Sequence, residues 1–241
     1  MRIGITLPQF SADAPAMVDA ARRAEAEGLD VAFAYDHYPR PGRPDALHGL
    51  TMLGALAVAT ERTGLGTLVA RIGVVPDGVL ISAMHTASRL ADGRFIAGLG
   101  VGDKESDLED EALGITRPPL DERFVRLEHV ASALRDEGID VWIGGRSRRA
   151  AVLSAALGVG QNLWEPTDQQ LTDALAEAEG RPVTWGATID ITDDKGVEVL
   201  GATLADLAAR GVAVAVVAPT KAGAPDAAAR VMSAKKLAGL P

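Results

Sequence analysis

Apolar runs of strand length alternate with alanine-rich stretches of helical spacing along the whole chain, and this switching between a period of two and a period near 3.6 predicts the architecture. Eight strand–helix pairs follow from it. Arg2–Leu7 is paired with a helix near Ala14–Glu27, whose Met17, Ala20, Ala21 and Ala24 share one face. Val31–Tyr35 leads through the Pro-rich loop Pro39–Pro44 to a helix near Leu50–Glu61, and Gly64–Val69 leads to Val79–Ala91. Arg94–Leu99 is the fourth strand. Beyond the glycine-rich, acidic stretch Gly100–Leu113 and Pro118-Pro119, its helix spans Asp121–Glu137, with Phe124, Leu127, Val130, Ala131 and Leu134 at intervals of three and four. The last four pairs are Asp140–Ile143 with Arg148–Leu157, Gln161–Trp164 with Thr167–Glu179, Val183–Ile189 with Thr203–Arg210, and Val212–Ala218 with Asp226–Ala238.

Parallel neighbours need a crossover connection, so repeated strand–helix units give a parallel sheet. Eight units predict a closed α/β barrel. The competing open, doubly wound sheet carries a Gly-rich turn straight after its first strand; here Pro8-Gln9-Phe10 stand there. A barrel places its chemistry at the C-terminal ends of the strands. Attention therefore falls on Pro8–Asp13, Asp36–His48, Ala70–Gly78, Gly100–Asp110, Gly144–Arg149, Glu165–Thr167, Asp190–Gly201 and Pro219–Pro225.

Composition narrows the class. The 241 residues carry 24 basic and 33 acidic side chains, a net charge of −9, which disfavours nucleic acid and anionic membranes as partners. The absence of cysteine removes disulfides, thiolate metal sites and a cysteine nucleophile. The start MRIGITLPQF has no long apolar segment, and no window approaches a membrane span, so a cytoplasmic location is expected.

Three constellations could carry chemistry. Asp36-His37 closes the second strand; histidine is the side chain most easily tuned for proton transfer near neutral pH, and the adjacent carboxylate could orient it, although a capping Asp beside an exposed His reads the same way. His48, His85 and His129 show no ligand spacing, which argues against a metal. Gly98-Leu99-Gly100-Val101-Gly102-Asp103 either admits a flat ligand to the backbone or serves turn geometry. Gly144-Gly145-Arg146-Ser147-Arg148-Arg149 opens a helix with three guanidinium groups, the wrong sign for the helix dipole unless an anion binds there; a helix capped by Ser147 with solvated arginines is the alternative. The run Glu105–Glu111 lacks a calcium-loop pattern and reads as a solvated helix face.

These segments together resemble the bacterial luciferase-like superfamily. Gly28-Leu29-Asp30-Val31 with Asp36-His37, Leu65-Gly66-Thr67-Leu68-Val69, Arg89–Phe95 continued by Gly98–Gly102, and Val141-Trp142-Ile143-Gly144-Gly145-Arg146-Ser147 are similar to its motifs. The resemblance implies a single (β/α)8 TIM-barrel domain over residues 1–241 that uses coenzyme F420 or a flavin. It implies that His37, with Asp36, is an acid/base at the ring. Val69, Ala70 and Arg71 would form the bulge behind the ring, which in this family often holds a non-proline cis peptide. Gly100, Val101, Gly102 and Asp103 would line the ring or its ribityl edge, and Gly144, Gly145, Arg146, Ser147, Arg148 and Arg149 would hold the phosphate.

The sequence departs from the family at Ser88, where Asp is common, at His85, and around Asp103 and Lys104. The long insertion usual before the fifth strand is almost absent between Pro119 and Asp140, which makes the barrel compact. The function expected is hydride transfer between F420 and a small organic substrate with His37 as acid/base, in a cytoplasmic homodimer joined through the alanine-rich surfaces of the first three helices. The alternatives are an FMN-dependent monooxygenase, a barrel that binds a flavin without turnover, and an unliganded structural barrel. Specificity would lie in Pro39–His48 and Asp190–Gly201.

Overall fold

The computed structural model describes the backbone of residues 1–241 and every side chain except that of Glu105. The strands are β1 (Arg2–Thr6), β2 (Val31–Ala34), β3 (Gly64–Thr67), β4 (Ala70–Arg71), β5 (Phe95–Gly100), β6 (Asp140–Gly144), β7 (Gly160–Trp164), β8 (Val183–Ile189) and β9 (Val214–Pro219). All pair in parallel in the order β3-β2-β1-β9-β8-β7-β6-β5-β4, and β3 also pairs with β5 through Leu65↔Phe95 and Gly66↔Ile96. The sheet therefore closes on itself. β4 continues β3 across a break at Leu68-Val69, so the eight expected strands are the eight staves of a (β/α)8 barrel. Its helices are α1 (Ala14–Glu27), α2 (Gly49–Ala59), α3 (Asp77–Leu90), α4 (Asp107–Leu113), α5 (Leu120–Asp136), α6 (Arg148–Leu157), α7 (Asp168–Ala176), α8 (Asp194–Ala209) and α9 (Ala227–Leu237). Among the described residues, no helix is long and apolar enough to cross a membrane.

Every strand is buried on both faces, which is why the strands read as nearly continuous apolar runs. Outward-facing Ile3, Ile5, Ala32, Ala34, Val141, Ile143, Ala215 and Val217 join the layer between sheet and helices. The inward set, Val31, Phe33, Leu68, Ile96, Trp142, Val214 and Val216, fills the barrel. Phe33 and Trp142 pack there with ring centroids 5.5 Å apart. Bare strand positions make the room: a Cβ on Gly66 would come within 2.8 Å of the Phe33 ring, and one on Gly160 within 2.7 Å of Trp142. Small strand residues thus admit two large rings.

Three elements differ from the sequence reading. The helix expected at Thr203–Arg210 begins nine residues earlier as α8, because Asp193 caps it by accepting from the Gly196 N–H at 2.8 Å and because Val197, Leu200, Gly201, Leu204 and Leu207 give one buried face. Much of Asp190–Gly201 is therefore helix. The third strand is interrupted rather than running unbroken to Val69. An extra short helix, α4, occupies the acidic stretch after β5. The α5–β6 connection is Glu137–Ile139, so the segment before the fifth stave holds no insertion, as expected.

Candidate active site

A cavity of about 550 Å3 opens at the C-terminal ends of the strands, the size of a small-molecule site. Its inner wall is Val69. The Leu68-Val69 peptide bond is cis, within the segment where the resemblance led us to expect one. The Val69 methyls lie where a Cβ on Gly100 or Gly144 would sit, 2.6 and 2.7 Å away respectively. Gly100 and Gly144 are thus bare for close packing against the bulge, although both also line the cavity. One outer wall is aromatic. Phe10 stacks on Tyr35 at 5.5 Å, and His37 lies 5.7 Å from Phe10 and 5.9 Å from Tyr35. Burial pushes the Tyr35 phenol up to about 12, with the Glu165 charge adding to it and a hydrogen bond from Thr6 opposing it.

Behind this wall lies an ionic network that links three strand ends. Arg71, at the end of β4, is buried; its guanidinium lies 3.6 Å from Asp36, 3.0 Å from Glu109 and 3.4 Å from Asp110. Glu109, on α4 and 1% exposed, accepts from His37 Nδ1 at 2.8 Å and also pairs with Arg43. Asp110 also pairs with Arg117. Burial pushes the Asp110 carboxyl above its ordinary value against the pull of Arg117 and Arg71. The neighbouring Tyr38 phenol is pushed up as well, first by burial and then by the Asp36 charge.

This network corrects two sequence expectations. The acidic run is not a solvated face: Glu105 falls outside the described side chains, but Glu109 and Asp110 are buried because three arginines brought from elsewhere in the chain neutralise them. Asp36 does not orient His37. Its Oδ2 accepts from the Arg71 backbone N–H at 2.7 Å, and Glu109 is the carboxylate on the imidazole.

The other expected site residues divide. His37, Val69, Arg71, Val101, Gly102, Asp103, Gly145 and Arg146 line the cavity with Asp36. Asp103 also caps the turn into α4 by accepting from the Ser106 N–H at 3.2 Å. Ala70 is buried behind the wall. Ser147 caps α6 by accepting from the Ala150 N–H at 3.2 Å. Arg148 pairs with Glu177, and Arg149 pairs with Asp121 and lies 4.1 Å over the Phe124 ring; neither lines the cavity. Of the three arginines, only Arg146 turns toward it, donating to the Glu165 carbonyl at 2.8 Å. Gln9, Arg43, Glu109, Asn162 and Trp164 were missed. Of these, Gln9, Arg43 and Glu109 fall in segments that follow strands, the one signal available, whereas Asn162 and Trp164 lie on β7 itself.

A profile of the luciferase-like monooxygenase family matches residues 1–136. The chain belongs to this family. An F420-dependent glucose-6-phosphate dehydrogenase from Nakamurella multipartita is 34% identical over 135 residues, 54% of this chain and 37% of the relative, so the chain matches well under half the length of this relative. Two solved structures share the barrel of this luciferase-like chain. An F420-dependent secondary alcohol dehydrogenase in complex with an F420-acetone adduct has a TM-score of 0.75 at 13% identity, over 98% of this chain and 97% of the other. The monooxygenase RslO1 from Streptomyces bottropensis has a TM-score of 0.76 at 15% identity, again over 98% and 97%.

Proposed function

We propose that this luciferase-like barrel is an oxidoreductase that uses coenzyme F420 and a small organic substrate, with His37 as the acid/base. One observation carries the reading: at the wall of the cavity stands a histidine with one ring nitrogen held by a buried carboxylate, which leaves Nε2 as the atom able to exchange a proton. The 34% identity to an F420-dependent dehydrogenase supports the choice of cofactor.

The residues fit such a group. Val69 offers an apolar backstop flanked by Gly100 and Gly144, where no Cβ intrudes, and Gly145 and Arg146 present an open backbone and a cation with no carboxylate partner among the described residues. F420, when bound, supplies the hydride donor or acceptor. The chain's own part is to orient the substrate against the Phe10–Tyr35 wall, to exclude water, and to take up or deliver the accompanying proton at His37 Nε2. A homodimer through the exposed Val58, Val79 and Leu90 of α2 and α3, and a cytoplasmic location, complete the proposal.

Separate titrations with F420 and FMN test it. F420 should bind, and Arg146→Glu should weaken that binding roughly tenfold or more. His37→Ala should leave the affinity within a small factor while lowering turnover on an accepted alcohol or sugar substrate by roughly 10²-fold or more. Failure of F420 to bind, or preference for FMN, overturns the reading.

A further inference from the structure

The structure points to Glu109 as the positioning residue of His37: we infer that it fixes the imidazole as the Nδ1–H tautomer and so selects Nε2 as the proton-exchanging atom. The inference deepens the functional reading above, on which it rests only for what Nε2 then does. In a neutral imidazole one nitrogen donates and the other accepts, and the partner of one decides the state of both. The decisive partner here is a carboxylate with no solvent to turn toward, since Glu109 is 1% exposed.

All of its capacity is assigned. Oε1 faces His37 Nδ1 at 2.8 Å and the Arg43 guanidinium; Oε2 faces the Arg71 guanidinium at 3.0 Å and accepts from the Tyr38 backbone N–H at 3.2 Å. A carboxylate shared with two guanidiniums acts as an acceptor only, so the proton in the 2.8 Å contact belongs to the ring. Asp36 does not take this role: its Oδ2 accepts from the Arg71 backbone N–H, and His37 Nδ1 meets Glu109 instead.

The backbone beneath the ring is fixed independently. Fully buried Gln9 accepts from the Tyr35 N–H at 2.7 Å through Oε1, while its Nε2 donates to the carbonyls of Leu47 at 2.7 Å and His37 at 3.4 Å. Main chain and ring are therefore anchored by different elements: the ring rests beside Phe10 and Tyr35, and among the described residues Glu109 supplies its hydrogen bond. Two neighbours in sequence would have been the simpler arrangement. Instead the carboxylate comes from a helix on another stave, 72 positions away.

The test reads the tautomer directly, by long-range ¹H–¹⁵N correlation of the imidazole in the cofactor-free protein at a pH where the ring is neutral. The His37 signal is assigned by its loss in His37→Phe. The wild-type protein should show the Nδ1–H pattern. Glu109→Gln, whose carbonyl can still accept, should keep it, and Glu109→Leu should revert toward Nε2–H. In turnover, Glu109→Leu should lower kcat by roughly 10²-fold or more with KM within a small factor, and Glu109→Gln should recover part of it. An Nε2–H ring in the wild type overturns the inference, and so does an unchanged Nδ1–H ring in a folded Glu109→Leu. If Glu109→Leu does not fold, the wild-type spectrum alone decides. None of the spectra requires F420, so failure of the cofactor reading and failure of this one are distinguishable.

Discussion

Replacing Arg71 by Met keeps most of the side-chain bulk and removes the charge that joins Asp36, Glu109 and Asp110 within 3.0 to 3.6 Å. The Arg71 side chain is 4% exposed and the three carboxylates lie between 1% and 7%, so water cannot replace the lost partner. Whether such a network adds net stability over an apolar core is a separate matter; breaking one partner out of it costs about 3–5 kcal/mol. Against a total stability of roughly 5–15 kcal/mol, that is a large fraction. With a slope of about 3 kcal/mol/M in urea, the midpoint should fall by about 1 to 1.7 M, followed by tryptophan fluorescence. The loss should also depend on pH. Without Arg71 one of the two charges that oppose burial at Asp110 is gone, so its carboxyl rises further, and a raised group contributes stability that is lost as the pH increases through its folded pKa. The deficit of the variant should therefore shrink as the pH is lowered from 7 toward 5, the direction set by Asp110, whose carboxyl burial already pushes upward. An Arg22→Ala control, which removes an exposed pair with Asp19, should stay within about 0.5 kcal/mol of wild type. A midpoint within about 0.3 M of wild type for Arg71→Met, or a deficit that stays flat across that pH range, would refute the account.

Two further outcomes are expected. Gly144→Ala places a Cβ 2.7 Å from the Val69 side chain and should cost about 1–3 kcal/mol by overpacking; Val69→Ala in the same chain should recover about 1 kcal/mol or more in a double-mutant cycle, and strict additivity would show that the two do not touch. Both tyrosines of the chain, Tyr35 and Tyr38, hold their protons beyond the ordinary value of 10.0. Spectrophotometric titration should thus show no phenolate at pH 10 in the folded protein, and stability should fall as the pH rises above that, since the unfolded chain releases those protons and the folded chain does not.

Periodicity showed the staves well because each strand is buried on both sides and each helix on one, so burial alone writes the pattern. The bulge beginning at Val69 followed from the family resemblance and the place of His37 at the mouth from its standing after a strand, whereas the break of the third strand before Val69 did not. What stayed hidden depends on pairing at a distance. Nothing local distinguishes Glu109 from its exposed neighbours Asp107 and Glu111; it is buried because Arg43, Arg71 and His37 arrive from other staves. The same holds in reverse for Arg148 and Arg149, whose acidic partners Glu177 and Asp121 lie 29 and 28 positions away. The first turns of α8 were missed because Asp193-Asp194-Lys195-Gly196 looks like a loop, although an Asp cap followed by Val197, Leu200 and Leu204 was there to be found.

The ionic network has a consequence for how such a chain can diverge. Asp36, His37, Arg43, Arg71, Glu109, Asp110 and Arg117 all fall inside residues 1–136, the part that the family profile matches, whereas Arg146, Asn162 and Trp164 enter the cavity from beyond it. The charges around His37 thus come from one part of the barrel, whereas the cavity wall is drawn from both. Substitutions after residue 136 can reshape that wall without disturbing a single charge around the imidazole, and exchanging that part between relatives should alter what the cavity admits while the ionic network stays in place.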